Sequence, residues 1–387
     1  MIIEQCLCCE GELKPLLDWG LMPLVNNYNN PNKYPLQVNI CTNCFHMQLS
    51  YAVPPNIMFK DYPYCSGTSK TALDFFDKFA DKALAFKEDS KTVMDIACND
   101  GTQLDAFKRR GLITYGVDPA ENLMSMCFNK GHEIECCFVE DYKTSNKFDI
   151  ITAQNVFAHN LNPFNFLMKC KEMMHDDSVL FIQTSQANMI SNNEFDTIYH
   201  EHISYFNSKS MKLLVERAGL EMYDIQLNPI HGTSYIFVIK KKNELNDYYV
   251  SLQIKDEENR GMFKMSTYQK WVKNVNSKID KTKTIIDEYR RNGYIIVGCG
   301  AAAKGLTLLN VAGIQLNSLI DTTRSKWFYD ASGSIIYPFE FLRRVNDDKV
   351  LFVILAWNFD TEIMENIKKI RNNKNDRYLN SNSGVIT

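Results

Sequence analysis

At 387 residues, with 45% hydrophobic and 23% charged side chains, the chain is long enough for two or three domains with real cores. A formal net charge of −3 excludes an extended nucleic-acid footprint. No stretch has the length and apolarity of a membrane span, and Met1-Ile2-Ile3-Glu4-Gln5-Cys6 lacks a signal peptide's basic and apolar regions, so a soluble cytoplasmic protein is expected.

The first sixty or so residues, rich in Cys, Asn and Pro and poor in helical periodicity, read as a small metal-stapled module. The spacing of Leu73, Phe75, Phe76, Phe79 and Leu84 predicts a helix over 71–87. From Lys91 strands and helices alternate: strands over 92–96, 114–117, 148–152 and 179–183, helices over 103–110 and 164–174. That alternation argues a doubly wound parallel sheet. Residues 244–291 are charged and short of turn signals, which suits a long exposed helical connector. A second strand–turn–helix opens at Tyr294, with further strands over 318–320 and 350–355, so the last third reads as another α/β unit. The final dozen residues, polar and Asn-rich, read as loose.

Four features along this frame carry chemistry. Cys6-Leu7-Cys8-Cys9 and Cys41-Thr42-Asn43-Cys44 form two C-x-x-C knuckles. Two knuckles close a tetrahedral thiolate shell suited to Zn²⁺ through Cys6, Cys9, Cys41 and Cys44. Four protein ligands leave no open position, so the metal is structural. Cys8 competes with Cys9 for ligation on sequence grounds, and His46 reads as a bystander. The twelve cysteines otherwise suit reduced thiols.

The second feature is Met94-Asp95-Ile96-Ala97-Cys98-Asn99-Asp100-Gly101, between a strand and a helix. It resembles the first motif of class I S-adenosylmethionine-dependent methyltransferases, with Ala97 at the usual first glycine. Asp118, at the end of the next strand, stands where a carboxylate accepts from ribose hydroxyls. The third is Tyr199-His200-Glu201-His202, a set able to supply a general base, a donor to a developing oxyanion and an orienting group. Spacing alone does not separate His200 from His202 as the base, nor either from a histidine that satisfies backbone groups. The fourth is Gly298-Cys299-Gly300-Ala301-Ala302-Ala303-Lys304-Gly305, which fits G-x-G-x-x-A with Asp321 after the following strand. It suits a nicotinamide dinucleotide, the pyrophosphate of a nucleotide sugar with Lys304 adding charge, or a tight turn with no ligand.

In this order the pieces resemble the sugar C-methyltransferases, whose members methylate a nucleotide-linked 4-keto deoxysugar at C3. The resemblance also rests on the segments Asp18 to Asn26, Asp61 to Ser69, Asn155 to His159, His231 to Ser234 and Ala356-Trp357-Asn358. It implies a zinc-binding module over 1–62, a methyltransferase core over 63–243, a helical connector over 244–290 and a Rossmann-like α/β domain over 291–387 that helps hold the sugar nucleotide. It implies His202 as catalytic base with Tyr199 and Glu201 beside it, and His159 and Tyr64 lining the site. Ser66, Asp95, Ala97, Asn99, Gly101, Asp118 and Asn155 fall to S-adenosylmethionine, and His231, Gly232, Ser234, Gly300 and Lys304 to the sugar nucleotide. His231-Gly232-Thr233 stands where the family shows His-Gly-Gly, and the Lys-x-Gly and Pro-Gly-Thr after Asp321 are replaced, both where the nucleotide sugar should bind. The function implied is carbon methylation through an enolate. The alternatives are an O- or N-methyltransferase on a nucleotide sugar, a nicotinamide oxidoreductase and a catalytically dead binding protein. Oligomeric state stays open.

Overall fold

The N-terminal cysteines sit on two turns at the open end of a long hairpin, one before β1 (Leu13–Pro23) and one after β2 (Lys33–Cys41), with a short third strand, β3 (Met47–Leu49), beyond the second knuckle. These are features of a computed structural model, which describes the chain apart from residues 61, 63, 64, 69, 186, 230–232, 242–247 and 346–348. A short helix, α1 (Pro55–Phe59), leads to α2 (Lys70–Phe86), the helix expected from the aromatic spacing.

Next come β4 (Thr92–Ile96), α3 (Thr102–Lys108), β5 (Ile113–Val117), α4 (Met124–Asn129), β6 (Glu133–Glu135), β7 (Phe148–Gln154), α5 (Pro163–Glu172) and β8 (Met174–Thr184). Local chemistry sets the ends of these elements. Helix α5 begins at Pro163, with the Asn162 side chain accepting from Asn165 N–H, and carries Lys169 and Lys171 in its last turn. After β9 (Ser204–Tyr205), α6 (Ser208–Arg217) starts on a reciprocal capping box between Asn207 and Ser210. Strands β10 (Leu220–Asn228) and β11 (Ser234–Lys241) complete a seven-stranded sheet in the order β10-β11-β8-β7-β4-β5-β6. The strands from β8 to β6 run parallel, and β11 is antiparallel to both β8 and β10. Strand β9 joins the N-terminal sheet instead, pairing antiparallel with β3 (order β1-β2-β3-β9).

The connector folds as α7 (Tyr248–Asn259) and α8 (Met265–Arg291), and it is not wholly exposed. Val250, Glu257, Tyr268, Trp271, Val275, Ile279 and Ile286 are buried, a stripe at helical spacing between charged positions. The C-terminal sheet comprises β12 (Ile295–Cys299), β13 (Ser318–Ile320), β14 (Asp330–Ala331), β15 (Ser334–Tyr337), β16 (Val350–Ile354) and β17 (Arg377–Asn380), in the order β14-β15-β13-β12-β16-β17. Helices α9 (Ala303–Ala312) and α10 (Asp360–Ile370) accompany it. The last dozen residues are therefore not loose: β17 pairs parallel with β16, and Leu379 is fully buried.

Packing divides the chain into two units that do not follow chain order. The first holds Met1–Leu16, Val38–Asn188 and Glu201–Thr267; the second holds Leu17–Gln37, Met189–His200 and Tyr268–Thr387. Among the described residues no helix is long and apolar enough to cross a membrane.

Candidate active site and metal centre

The two cysteine knuckles share one backbone design. Glu10 N–H donates to Cys6 O at 2.8 Å and Phe45 N–H to Cys41 O at 3.1 Å, with Glu10 and Phe45 both at positive φ. Each turn closes on its first cysteine: Cys6 N–H donates to Gly11 O, and Cys41 N–H to His46 O. A side chain at Gly11 would meet the sulfurs of Cys9 and Cys41 at 3.2 Å, so glycine leaves room for the cluster. Sulfur separations are 3.6 Å for Cys6–Cys44 and 3.5 Å for Cys9–Cys41 and Cys9–Cys44. A tetrahedron with Zn–S bonds of about 2.3 Å has edges of roughly 3.8 Å, so the thiol set fits zinc. Cys8 is buried outside the set, and burial drives its thiol pKa far up. His46 sits beside Phe206 and 3.2 Å from Ser204 Oγ, as a packed residue.

The turn after β4 takes three left-handed residues, Ala97, Asn99 and Gly101, at φ of 61°, 53° and 75°. Asp118 holds it in place: Oδ2 accepts from Asn99 N–H at 2.9 Å, and Oδ1 from Ala120 N–H at 2.8 Å. Each carboxylate oxygen keeps a further lone pair for a hydroxyl donor. Ser66 N–H donates to Asn99 Oδ1 and Gly67 N–H to Asp100 Oδ2, which lays the Ser66 segment over the turn. Asn155, at φ 55° just beyond β7, has its Oδ1 buried with no partner among the described residues. Asp95 is spent inward, accepting from Gln103 Nε2 at 2.8 Å and Thr152 Oγ1 at 2.7 Å; burial pushes its pKa up to about 7. A left-handed turn, a strand-end carboxylate and an unpartnered amide oxygen at one sheet edge suit a methyl-donor nucleoside.

The imidazole pair lies in the same unit. Ile203 N–H donates to Ala158 O at 2.8 Å and Leu49 N–H to Ile203 O at 2.8 Å, which clamps the chain after His202 between the residue before His159 and β3. The rings of His159 and His202 come within 5.0 Å, and Phe59 stacks on His159 at 5.5 Å. Burial, then the neighbouring His202, holds His159 well below the usual imidazole range. Its Nε2 is buried with no partner among the described residues. Glu201 Oε2 accepts from Tyr62 Oη at 3.0 Å. Tyr62 is a contact the sequence did not single out, since the run Asp61-Tyr62-Pro63-Tyr64 offers two tyrosines and no spacing to choose between them. Tyr64, His231 and Gly232 lie outside the described residues. Ser234 is fully buried on β11, in register with Asn228.

Tyr199 and His200 belong to the second unit. There His200 Nε2 lies 3.2 Å from Tyr34 O, and burial lowers the ring pKa to about 4. The segment leading to them is tied down within that unit: Trp271 Nε1 donates to Glu194 O and Trp357 Nε1 to Asp196 Oδ2. Lys304 places its ammonium 4.9 Å from the Trp357 ring. Gly300 has φ 83°, and a Cβ there would come within 2.7 Å of Ala356 Cβ. Asp321 accepts from Ala301 N–H and Thr323 N–H, both at 2.7 Å, and faces the Lys326 ammonium at 3.6 Å. Asp321 is thus bonded to its turn as Asp118 is to the first, with the Lys326 ammonium as an added neighbour.

Three family models match in succession: "Putative zinc binding domain" at residues 6–59, "Methyltransferase domain" at 69–225 and "C-methyltransferase C-terminal domain" at 229–378. The chain is a zinc-containing, S-adenosylmethionine-dependent C-methyltransferase. "C-methyltransferase NovU" of Streptomyces niveus is similar along its length, at 25% identity over 393 residues covering 96% of this C-methyltransferase and 94% of NovU. A "Ubiquinone biosynthesis O-methyltransferase" of Glaesserella parasuis is 31% identical over 106 residues, covering 24% of this chain and 45% of that one. Among solved structures, the 1,6-didemethyltoxoflavin-N1-methyltransferase of Burkholderia thailandensis matches at TM-score 0.38 and 16% identity, covering 46% of this chain and 80% of that one, too slight a likeness to bear on function.

Proposed function

We propose that this C-methyltransferase acts on a nucleotide-linked 4-keto deoxysugar, at C3, through an enolate. The observation that carries the reading is the pairing of buried His202 with half-buried His159, 5.0 Å between ring centroids. Carbon methylation beside a ketone requires removal of an α-proton and stabilisation of the negative oxygen that results. His202 takes the proton. His159, kept neutral by burial, donates from Nε2 to the developing enolate oxygen rather than carrying charge of its own. Glu201, fixed by Tyr62, orients the base or a sugar hydroxyl. Asp118, Asn99 and Asn155 hold S-adenosylmethionine, which when bound supplies an electrophilic methyl group. Methyl transfer to oxygen or nitrogen needs a base but no enolate donor, so a second, neutral imidazole beside the first favours carbon. Zinc stabilises the N-terminal module and takes no part in the chemistry.

The test is incubation of nucleotide 4-ketosugars with the enzyme and S-adenosylmethionine, followed by mass spectrometry and carbon NMR of the product. A gain of one methyl on ring carbon is expected. A methyl on oxygen or nitrogen, or no turnover of any such sugar, would overturn the reading.

A further inference from the structure

One face of the seven-stranded sheet changes character along its strands. Near the strand starts it carries Val93, Ile150 and Val179, which with Phe181 of the next rank pack against Phe79 and Phe107. Toward the C-terminal edge the same face carries Asp95, Thr152, Gln154 and Gln183. Register fixes this row, because Asp95 pairs with Thr152 and Gln154 with Gln183 in parallel ladders, and side chains alternate faces along a strand. Asp95 and Thr152 are bonded to each other, and both are approached by Gln103 Nε2. The two glutamines are different. Gln183 is 1% exposed, and both amide atoms of Gln154 and of Gln183 are buried with no partner among the described residues.

Buried amides without partners are costly, and a chain keeps them where a ligand completes their bonds. We propose that Gln154 and Gln183 form the subsite that binds ring hydroxyl groups of the acceptor, which makes Gln183 a specificity-determining residue. Position and chemistry select that ligand. Asp118 places the ribose end of the donor over β5, and the turn after β4 carries it toward β7, so β8 lies on the acceptor side. The row of Asp95, Thr152, Gln154 and Gln183 carries no cation to balance a buried phosphate or carboxylate. A hydroxyl both donates and accepts, and so satisfies an amide oxygen and an amide nitrogen side by side. This inference rests on the sugar reading above.

Gln183→Met keeps the length of the side chain and removes only its polar end. Since an unsatisfied buried amide is being replaced by an apolar group, the variant should melt at or above the wild-type temperature. Its KM for the 4-ketosugar should nevertheless rise roughly tenfold or more, with kcat within a few-fold and S-adenosylmethionine affinity by calorimetry unchanged. A deoxy analogue lacking the recognised hydroxyl should show the same loss with wild type and little further loss with Gln183→Met. An unchanged KM for the sugar would overturn the subsite, and weakened S-adenosylmethionine binding instead would assign the row to the cofactor. If wild type turns over no sugar at all, the function reading falls first and this inference with it.

Discussion

His200 and His202 have the same side chain and neighbouring positions, yet the structure gives them different surroundings. His200 is packed against the hairpin carbonyl of Tyr34, whereas His202 faces His159. His202→Asn should therefore leave both ligands bound, lower turnover by roughly a hundredfold or more, and suppress exchange of the acceptor's α-proton with deuterated water. Near wild-type methylation would move the role to His159. His200 has a structural signature in pH. Its folded pKa, about 4, lies below the ordinary value of 6.5, so the unfolded chain binds the extra proton first. The stability tied to its neutral burial is complete above pH 6.5 and drains as pH falls toward 4. Melting temperature should fall less steeply over that window in His200→Gln than in wild type; parallel slopes would show that another group titrates. For Asp118→Ala, the loss of charged hydrogen bonds should weaken S-adenosylmethionine binding by about 2 kcal/mol, read by calorimetry. The place of Asp118 against the turn was legible in the sequence because a strand-end acid follows a glycine turn at a set interval. The different surroundings of His200 and His202 were not, because a side chain's partners depend on contacts remote in sequence.

Asn207 shows how one side chain serves two elements. Its Oδ1 caps α6 by accepting from Ser210 N–H at 2.8 Å, while Nδ2 donates to Phe45 O at 2.8 Å and Cys44 O at 3.2 Å. The second zinc knuckle is thereby braced on the helix that follows β9, and β9 itself is a strand of the zinc module's sheet. Removing zinc with a chelator should loosen that sheet and be felt at its distal strand. Faster amide exchange is expected at Ser204 and Tyr205 along with the knuckles, with turnover falling as a consequence. Exchange confined to the knuckles would show that β9 is held by the methyltransferase core alone. The strands that were legible, such as β4 at Thr92–Ile96, are buried runs with one reading. Polar composition hid two others: the asparagines around β17 concealed Leu379, and the charges of α8 concealed its buried stripe of Tyr268, Trp271, Val275 and Ile279.

At the scale of the molecule, the chain uses one strand–turn–helix device twice, once in each unit. In the first unit Asp118 accepts from the turn at Asn99 and from its own Ala120; in the second Asp321 accepts from the turn at Ala301 and from its own Thr323. The sequence does not say what each copy binds, because that depends on what surrounds each turn. At the second turn the glycines themselves are tightly packed. Beyond Gly300, a Cβ at Gly305 would lie 2.4 Å from Leu355 Cβ, and one at Gly298 would lie 2.5 Å from Leu319 Cδ2. The glycines are thus accounted for by close packing, of Gly298 on β12 against Leu319 of β13 and of Gly305 on α9 against Leu355 just beyond β16, whatever ligand the loop meets. Gly305→Ala should then cost on the order of 1–3 kcal/mol of unfolding free energy, the scale of overpacking a tight core. Denaturant titration measures that loss, and calorimetry on the same variant should show S-adenosylmethionine affinity unchanged, since the cofactor turn belongs to the other copy. A variant of full stability would mean that Leu355 yields readily and that the glycine is kept for something other than packing.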